Sequence, residues 1–342
     1  MNHQAALRKQ FGTGDTVAAE RPQSSPRGRS DEHVGQHRGG RVVAIGGGHG
    51  LAATLRGVRA YAGDIAAVVS VADDGGSSGV LRNWYETTPP GDIRRAIDAL
   101  SDPSSPLAGA IEWRFDRGSL RGHPIGNLLM LALAENSDNF ASGVERLAAL
   151  AGCVGRVYPA AMVPLVLTGE VEGVDGRVRT VRGQVAVSTI PGTIRHVAIE
   201  PAEAEVCPGA LDAILRADQC VLSPGSLYTS LLPALLVPEI RNAVNSTDAE
   251  VLYLCNLGQQ LPETEGMTAA DHVEALLHHG VRVDCVIVQQ GGPMTIPVDR
   301  FTSRGIAVIE ADLARPNGTA HDSNKVARVL ASRATSVRAR LV

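Results

Sequence analysis

Lysine is almost missing from this 342-residue chain, because Lys9 and Lys325 are the only lysines among its 32 basic residues. The composition of a GC-rich genome accounts for such a preference for arginine. The long stretch between the two lysines therefore lacks both the lysine of a phosphate-binding P-loop and a lysine that forms a Schiff base. Any phosphate bound there must be held by backbone N–H groups, arginine, hydroxyl groups or a metal ion.

Other absences exclude several classes of protein. The 32 basic and 36 acidic residues give a net charge of −4, so no basic excess points to nucleic acid. The sequence has no uncharged apolar run of 18 residues and no signal-peptide core, so we expect a cytoplasmic protein without membrane insertion. Its five cysteines lie far apart with no CxxC pair, which argues against a zinc knuckle or a disulfide framework.

The hydrophobic pattern divides the chain into three parts. Residues 1–40 are rich in Gly, Ser, Pro, Gln, Arg and His without an apolar period, which predicts a disordered N-terminal tail. Residues 41–333 are predicted to form one Rossmann-like domain. We expect residues 334–342 to be a flexible C-terminus beyond a last helix at 323–333.

The order of the predicted elements favours an α/β fold. Val42–Ile45 reads as a buried strand, followed by a glycine turn, a helix and a second strand at Ile65–Val71. This is the opening of a doubly wound, mostly parallel sheet. A helical segment follows at 92–150, including a helix at 107–115. Later strands are predicted at Cys220–Leu222, Val251–Cys255, Val283–Val288 and Ile306–Ile309.

A β insertion at about 160–200 interrupts the alternation of strands and helices. Val163–Val171 and Val178–Ser188 are rich in β-forming residues, and the Asp175-Gly176 pair between them predicts a hairpin. Arg195–Ile199 adds a further short strand.

The glycine turn after the first strand is the strongest local motif, and it comprises Gly46, Gly47, Gly48, His49 and Gly50. Glycines at the end of a strand allow a ligand to approach the backbone, and the N-terminus of the following helix favours a phosphate. A tight turn with no ligand is the alternative, since the spacing is not that of the dinucleotide fingerprint.

A second candidate motif follows the second strand and contains Asp73, Asp74, Ser77 and Ser78. Its carboxylates can accept hydrogen bonds from ribose hydroxyls or hold Mg²⁺, and its serines can donate to a phosphate. An Asp or Ser helix cap is the simpler alternative. Ligands of open α/β sheets bind at this edge, which favours a site.

Two further segments begin predicted helices. Asp92 is a candidate N-cap, and Arg94 is either a surface charge or the group that neutralises a diphosphate. His123 is as consistent with a structural role as with a functional one. Asn127 can cap a helix or contact a nucleobase edge.

A last group of candidates follows later strands. Ser223, Gly225 and Ser226 precede a helix, and their turn provides a second helix N-terminus at the same edge of the sheet. Asn256 and the segment Glu263–Gly266 follow the next strand. No Ser-His-Asp or Cys-His pair is evident from the sequence, so we name no catalytic residue.

Together these motifs resemble the gluconeogenesis factor (YvcK-like) family, within the superfamily of CofD-like 2-phospho-L-lactate transferases. The resemblance spans about residues 41–330. It is carried by these segments, in order: Ala44–Gly50, Val71–Arg82, Pro89–Arg94, Gly122–Leu128, Arg182–Val185, Ser223–Ser230, Asn256 and Glu263–Gly266.

The resemblance implies a cytoplasmic, Rossmann-like protein that binds UDP-sugars, notably UDP-N-acetylglucosamine, and requires no cofactor. It also implies a role that links carbon source to cell-wall synthesis and cell shape, with cell-wall synthesis proteins as partners and homo-oligomers as a further possibility. Pro224-Gly225-Ser226 stands where the transferases have Pro-Ser-Asn, which favours the sugar-nucleotide binders. Departures from the factor family are Ser223 for a usual glycine and His49 for a frequent threonine.

Two classes of function remain open on the sequence. The first is a regulatory protein that binds a UDP-sugar without turning it over. The second is a metal-dependent transferase that moves a phospho-organic acid from a nucleoside diphosphate to a hydroxyl acceptor. By resemblance, Asp74 (or Asp73) and Asp92 hold the metal ion, Mg²⁺ for instance, in that second case.

Overall fold

The computed structural model describes residues 39–340, and the side chains of residues 39–334. The predicted disordered tail therefore lies outside the described residues, apart from Gly39 and Gly40. Gly40 is already part of the fold, because its carbonyl oxygen accepts a hydrogen bond from the amide of Gly63 at 3.0 Å.

Within residues 39–340, seven parallel strands form one sheet in the order β10-β9-β8-β7-β1-β2-β3. The strands are β1 (Arg41–Gly46), β2 (Asp64–Val69), β3 (Arg156–Pro159), β7 (Gln219–Leu222), β8 (Glu250–Leu254), β9 (Cys285–Gln289) and β10 (Ala307–Ala311). The central strands are buried along nearly their whole length, as expected for a parallel sheet covered on both faces. The predicted α/β fold is confirmed.

The order of the strands reverses between β1 and β7. The chain passes from β1 to β2 on one side, whereas β7 pairs with β1 on the other, with Ile45 beside Leu222. Ligands of such sheets bind in the crevice beyond the carboxyl ends of the strands at this switch point. The glycine turn and the turn after Leu222 both leave the sheet there.

Twelve helices lie within the described residues, apart from short 3₁₀ and π segments. They are α1 (Gly48–Val58), α2 (Gly76–Tyr85), α3 (Gly91–Leu100), α4 (Ile125–Glu135), α5 (Phe140–Leu150), α6 (Gln184–Thr189), α7 (Pro208–Leu215), α8 (Leu232–Leu235), α9 (Pro238–Ser246), α10 (Ala269–His278), α11 (Val298–Thr302) and α12 (Ser323–Arg340). Helix α1 buries Leu51, Leu55 and Val58, one helical face that packs towards α3 and α12.

A small antiparallel sheet has the order β5-β4-β6 and consists of β4 (Val166–Glu172), β5 (Val178–Arg182) and β6 (Thr193–Glu200). The predicted hairpin at Asp175-Gly176 is confirmed, since β4 and β5 pair across it. The prediction of strand as far as Ser188 is wrong, because β5 ends at Arg182 and α6 follows.

Three other boundaries differ from the sequence prediction. Strand β3 was not predicted, although it pairs with β2 at the edge of the sheet. The helix predicted at 107–115 is only a short 3₁₀ segment, Ala110–Glu112. Helix α12 continues to Arg340, past the predicted end at Arg333.

Candidate functional site

The glycine turn is closely packed against the loop that follows β7. A Cβ atom at Gly46 would overlap the Oγ of Ser223, and one at Gly50 would overlap the carbonyl oxygen of Pro224. Packing within the protein therefore explains these two glycines. Gly48 differs, because its φ is +64° and a Cβ there would meet no atom within 4 Å. At Gly48 the turn opens onto unfilled space at the N-terminus of α1.

The loop after β7 is held by two side chains from the neighbouring strand and its loop. Asn256 accepts a hydrogen bond from the amide of Gly225 at 2.7 Å and donates one to its carbonyl oxygen at 2.8 Å. The buried carboxylate of Glu263 accepts from the amides of Tyr228 and Thr229 and from the Thr229 hydroxyl, at 2.8, 3.3 and 3.0 Å. The helix N-terminus that we expected to be open for a phosphate is thus largely capped by Glu263.

Glu263 was missing from the predicted binding residues, although its segment was a candidate loop. Burial raises the pKa of Glu263, and the hydrogen bonds from Tyr228 and Thr229 oppose that change. Ser226 also bonds to this carboxylate. The hydroxyl of Ser223 is buried and has no hydrogen-bond partner among the described residues.

A cleft of about 530 Å³ lies beside the glycine turn and the loop after β7. This volume falls in the range of small-molecule sites. The lining residues are His49, Gly50, Ala53, Pro224, Gly225, Asn256, Leu257, Gly258, Gln259, Gln260, Pro293, Gly318, Thr319, Ala320 and His321. Burial lowers the pKa of His321 to about 4, and burial together with Arg95 lowers the pKa of His49. Both imidazoles are therefore neutral hydrogen-bonding groups at pH 7.

The motif after β2, Asp73–Ser78, is here called the acidic turn, and its two aspartates have separate roles. The Asp74 carboxylate accepts hydrogen bonds from the amides of Gln184 and Val185, both at 2.9 Å, so it caps α6 from a distant part of the chain. Asp73 accepts a hydrogen bond from the amide of Gly75 at 3.0 Å. A helix cap was the alternative to a ligand site for this motif. Asp74 is such a cap, although the helix it caps is α6.

Asp92 joins the beginnings of two helices. It is buried in the first turn of α3, whose N-cap is Pro90, so the prediction of Asp92 as the N-cap is wrong. Its carboxyl accepts from the Gly48 amide and from Nη1 of Arg95, the latter at 2.6 Å. Burial, and then nearby Asp73, raise the pKa of Asp92, whereas Arg95 and the Gly48 amide oppose this.

These contacts do not fit a magnesium site at Asp74 and Asp92. Mg²⁺ requires oxygen ligands in near-octahedral geometry, but the Asp74 oxygens face backbone amides and Asp92 faces Arg95. Across residues 39–340, no group of three His, Cys, Asp or Glu side chains is arranged to hold a metal ion.

A buried hydrogen-bond network runs from α3 to the acidic turn. Arg94, with a side chain only 1% exposed, donates to Glu112 at 2.9 Å and to the Oδ1 of Asn127 at 3.0 Å. The Nδ2 of Asn127 donates to the Oγ of Ser77 at 3.0 Å. Ser77 also contacts the Nδ1 of His123 at 2.8 Å. Arg94 is therefore not a surface charge, and its Nη2 is buried without a hydrogen-bond partner among the described residues.

The structure brings the predicted residues together in two groups at one edge of the sheet. His49, Gly50, Gly225 and Asn256 line the cleft. Ser77, Arg94 and Asn127 belong to the buried network. Asp92 joins the glycine turn to α3, since it packs against Gly47 and accepts from the Gly48 amide, and Asp73 lies close to Gly91. Ser78 supports the acidic turn by accepting from the Gly91 amide at 3.1 Å.

The sequence pattern of the family described as 2-phospho-L-lactate transferase CofD matches residues 42–326. The chain therefore belongs to the CofD family. Gluconeogenesis factors are among its relatives: the one from Bacillus subtilis (strain 168) is 36% identical over 311 residues, which cover 85% of this chain and 96% of the relative. The one from Halalkalibacterium halodurans is 40% identical over 256 residues, covering 74% and 78%. The chain thus lies in the gluconeogenesis factor branch of the family, as its motifs predicted.

A solved structure supports this assignment. A crystal structure of a UPF0052 family protein from Bacillus halodurans matches with a TM-score of 0.79 and 34% identity, over 86% of this chain and 99% of that one. No helix among residues 39–340 is both long and apolar enough to cross a membrane.

Proposed function

We propose that this chain binds UDP-N-acetylglucosamine and acts in the cytoplasm as a regulatory protein that links carbon metabolism to cell-wall synthesis and cell shape. The observation that carries the proposal is the open space at Gly48, at the start of α1 and beside the cleft of about 530 Å³. A helix N-terminus offers backbone N–H groups to a phosphate, and the cleft has room for a nucleoside.

The orientation of the ligand follows from the chemistry of the two groups of residues. The amide of Asn256 and the neutral imidazoles of His49 and His321 are suited to the polar edges of a uridine. The Asp73 carboxylate accepts hydrogen bonds, which suits the hydroxyl groups of a sugar. We therefore place the nucleoside in the cleft and the sugar towards the acidic turn.

The regulatory role rests on the family, since the relatives are named gluconeogenesis factors. Cell-wall synthesis proteins and a second copy of the chain are the partners that this role suggests. The alternative is a transferase that uses a nucleoside-diphosphate donor, as the description of the family pattern suggests.

Isothermal titration calorimetry with UDP-N-acetylglucosamine tests the proposal, with GDP plus Mg²⁺ as the comparison ligand. At a hundredfold excess over the dissociation constant, the ligand should stabilise the fold by about 2.7 kcal/mol and raise the melting temperature. Absence of both heat and a melting shift would refute binding. A response only to GDP with Mg²⁺ would favour the transferase.

A further inference from the structure

A serine motif forms the beginning of α2, where Gly75-Gly76-Ser77-Ser78-Gly79 follows the pattern G-x-S-x-G. In α/β-hydrolases this pattern presents a serine hydroxyl at the edge of the sheet from a sharp strand–helix turn. Here residues 70–75 separate the end of β2 from the start of α2, and the serine lies in the first turn of the helix. Gly76, the first residue of α2, is in the left-handed region with φ +48°. Gly79 is required by packing, because a Cβ there would overlap the carbonyl oxygen of Asp74.

The hydroxyl of Ser77 has an imidazole beside it, since its Oγ lies 2.8 Å from Nδ1 of His123. His123 is buried, whereas Ser77 is only partly buried. The sequence showed no Ser-His pair because 46 residues separate the two. A hydroxyl hydrogen-bonded to a base is the arrangement that activates a serine nucleophile.

The neighbouring residues leave the Ser77 proton free to point towards His123. A guanidinium only donates hydrogen bonds, so the atom of Asn127 that faces Arg94 must be the amide oxygen. The Asn127 NH₂ group therefore faces Ser77 and donates to its Oγ. One lone pair of Ser77 is thus occupied, and in the tautomer of His123 that carries its proton on Nε2 the Ser77 hydroxyl donates to Nδ1.

The position of Ser77 favours an anionic electrophile. It is the second residue of α2, a ten-residue helix, so the positive end of the helix dipole lies at its hydroxyl. Two hydrogen bonds connect this turn to the proposed phosphate site: Ser78 accepts from the Gly91 amide, and Asp92, next in the chain, accepts from the Gly48 amide.

We infer that Ser77 is a nucleophile towards the sugar-bearing phosphorus of a bound nucleoside-diphosphate sugar, with His123 as its general base; this rests on the proposed function. The Ser77 Oγ forms a bond to that phosphorus, and the anhydride bond to the other phosphate breaks. The nucleoside monophosphate leaves with the electron pair of that bond, and the Ser77 proton passes to Nδ1 of His123. The product is a sugar phosphate esterified to Ser77.

Asn127 and Arg94 are positioning residues in this scheme. Asn127 holds the hydroxyl by its N–H, and Arg94 fixes which end of the Asn127 amide faces the serine. Neither needs to touch the ligand. Water is the simplest second acceptor, and its attack on the serine ester would release the sugar phosphate and regenerate Ser77.

The test uses the full chain incubated with UDP-N-acetylglucosamine, followed by intact mass, peptide mapping and chromatography of the nucleotide. We expect release of UMP and a sugar-phosphate adduct on Ser77. Ser77→Ala should abolish both while still binding the ligand, and Ser77→Thr, which keeps a hydroxyl, should restore part of the adduct. His123→Gln should slow adduct formation by roughly 100-fold. Ser119→Ala, in an exposed neighbouring loop, is the matched control.

The outcomes separate this inference from the proposed function. Calorimetric binding without adduct and without UMP release overturns the nucleophile and leaves the binding proposal standing. UMP release that persists in a folded Ser77→Ala protein also overturns it, because the nucleophile would then be another group. Absence of any binding overturns both. Melting curves of each variant show whether a lost adduct reflects a lost fold.

Discussion

Arg94 and Glu112 form an ion pair with an N–O distance of 2.9 Å, in which the arginine side chain is 1% exposed and the glutamate side chain 36%. The pair is thus buried on one side only. Burial lowers the pKa of Arg94, whereas its hydrogen bond to Glu112 raises it. The Arg94 side chain is buried, whereas water can solvate the Glu112 carboxylate when Arg94 is removed.

Arg94→Ala should therefore reduce the free energy of unfolding by about 2–4 kcal/mol, because it leaves a cavity and deprives Asn127 of its donor. Chemical denaturation measures this loss. Arg117→Ala is the control, since the Arg117 side chain is 93% exposed. A change below about 0.5 kcal/mol for Arg94→Ala would contradict the buried network.

Glu263→Gln should destabilise the fold by about 1–3 kcal/mol. The neutral amide loses one acceptor oxygen, so a backbone amide or the Thr229 hydroxyl is left with a poorer partner. Glu265→Gln, exposed in the same segment, provides the comparison and should leave the melting temperature unchanged. Equal melting temperatures for the two variants would show that the cap contributes little.

Gly48→Asn tests the phosphate site with little disturbance of the backbone. Asparagine tolerates the left-handed conformation, and its side chain would project into the space where we place the phosphate. The affinity for UDP-N-acetylglucosamine should fall at least roughly tenfold, a loss of about 1.4 kcal/mol. Gly176→Asn, at a hairpin turn with φ +71° and open space around it, is the control. Unchanged affinity in Gly48→Asn would place the ligand elsewhere.

Three buried histidines make the fold sensitive to acid. Burial lowers the pKa values of His272, His279 and His321 to about 4, against about 6.5 in an unfolded chain. Below pH 6.5 the unfolded chain binds more protons, so stability falls as the pH falls from 6.5 towards 4. Each of these histidines should lower the free energy of unfolding by on the order of 2 kcal/mol when the pH falls from 7 to 5.

Urea denaturation at the two pH values measures this effect. His279→Gln should reduce the pH dependence, and exposed His278→Gln should leave it nearly unchanged. Asp92 and Glu263 act in the opposite direction, since their raised pKa values mean that the folded chain binds protons first. Stability that did not fall between pH 7 and pH 5 would mean that the histidines are not held neutral.

The fold was largely predictable because its strands are short apolar runs followed by glycine or polar turns. Strand β3 escaped prediction because it has only four residues, of which Arg156 and Pro159 are the ends. Helix α6 was predicted as strand because its Val, Ser and Thr residues favour β structure. In the structure this segment is a helix whose N-terminus is capped by Asp74. The two residues of that contact are 110 positions apart, so no local sequence pattern reveals it.

The grouping of the candidate residues was predictable from the sequence, but their contacts were less so. The motifs that follow β1, β2 and β7 predicted a candidate site at one edge of the sheet, and the structure brings them together at that edge. Which carboxylates face amides, and which hydroxyl meets an imidazole, depends on long-range packing. The partners of Arg94 illustrate this, since Glu112 lies in a segment that we predicted to be an ordinary helix.

The hydrogen bonds of Asp74 connect the acidic turn, at the edge of the sheet where we place the ligand, to α6 beside the small antiparallel sheet. The acidic turn cannot shift without either breaking two hydrogen bonds to α6 or carrying that helix with it. Occupancy of the site should therefore be transmitted to a surface that the ligand never touches. The amide protons of Gln184 and Val185 would report it, with slower hydrogen exchange when the turn is held by a ligand.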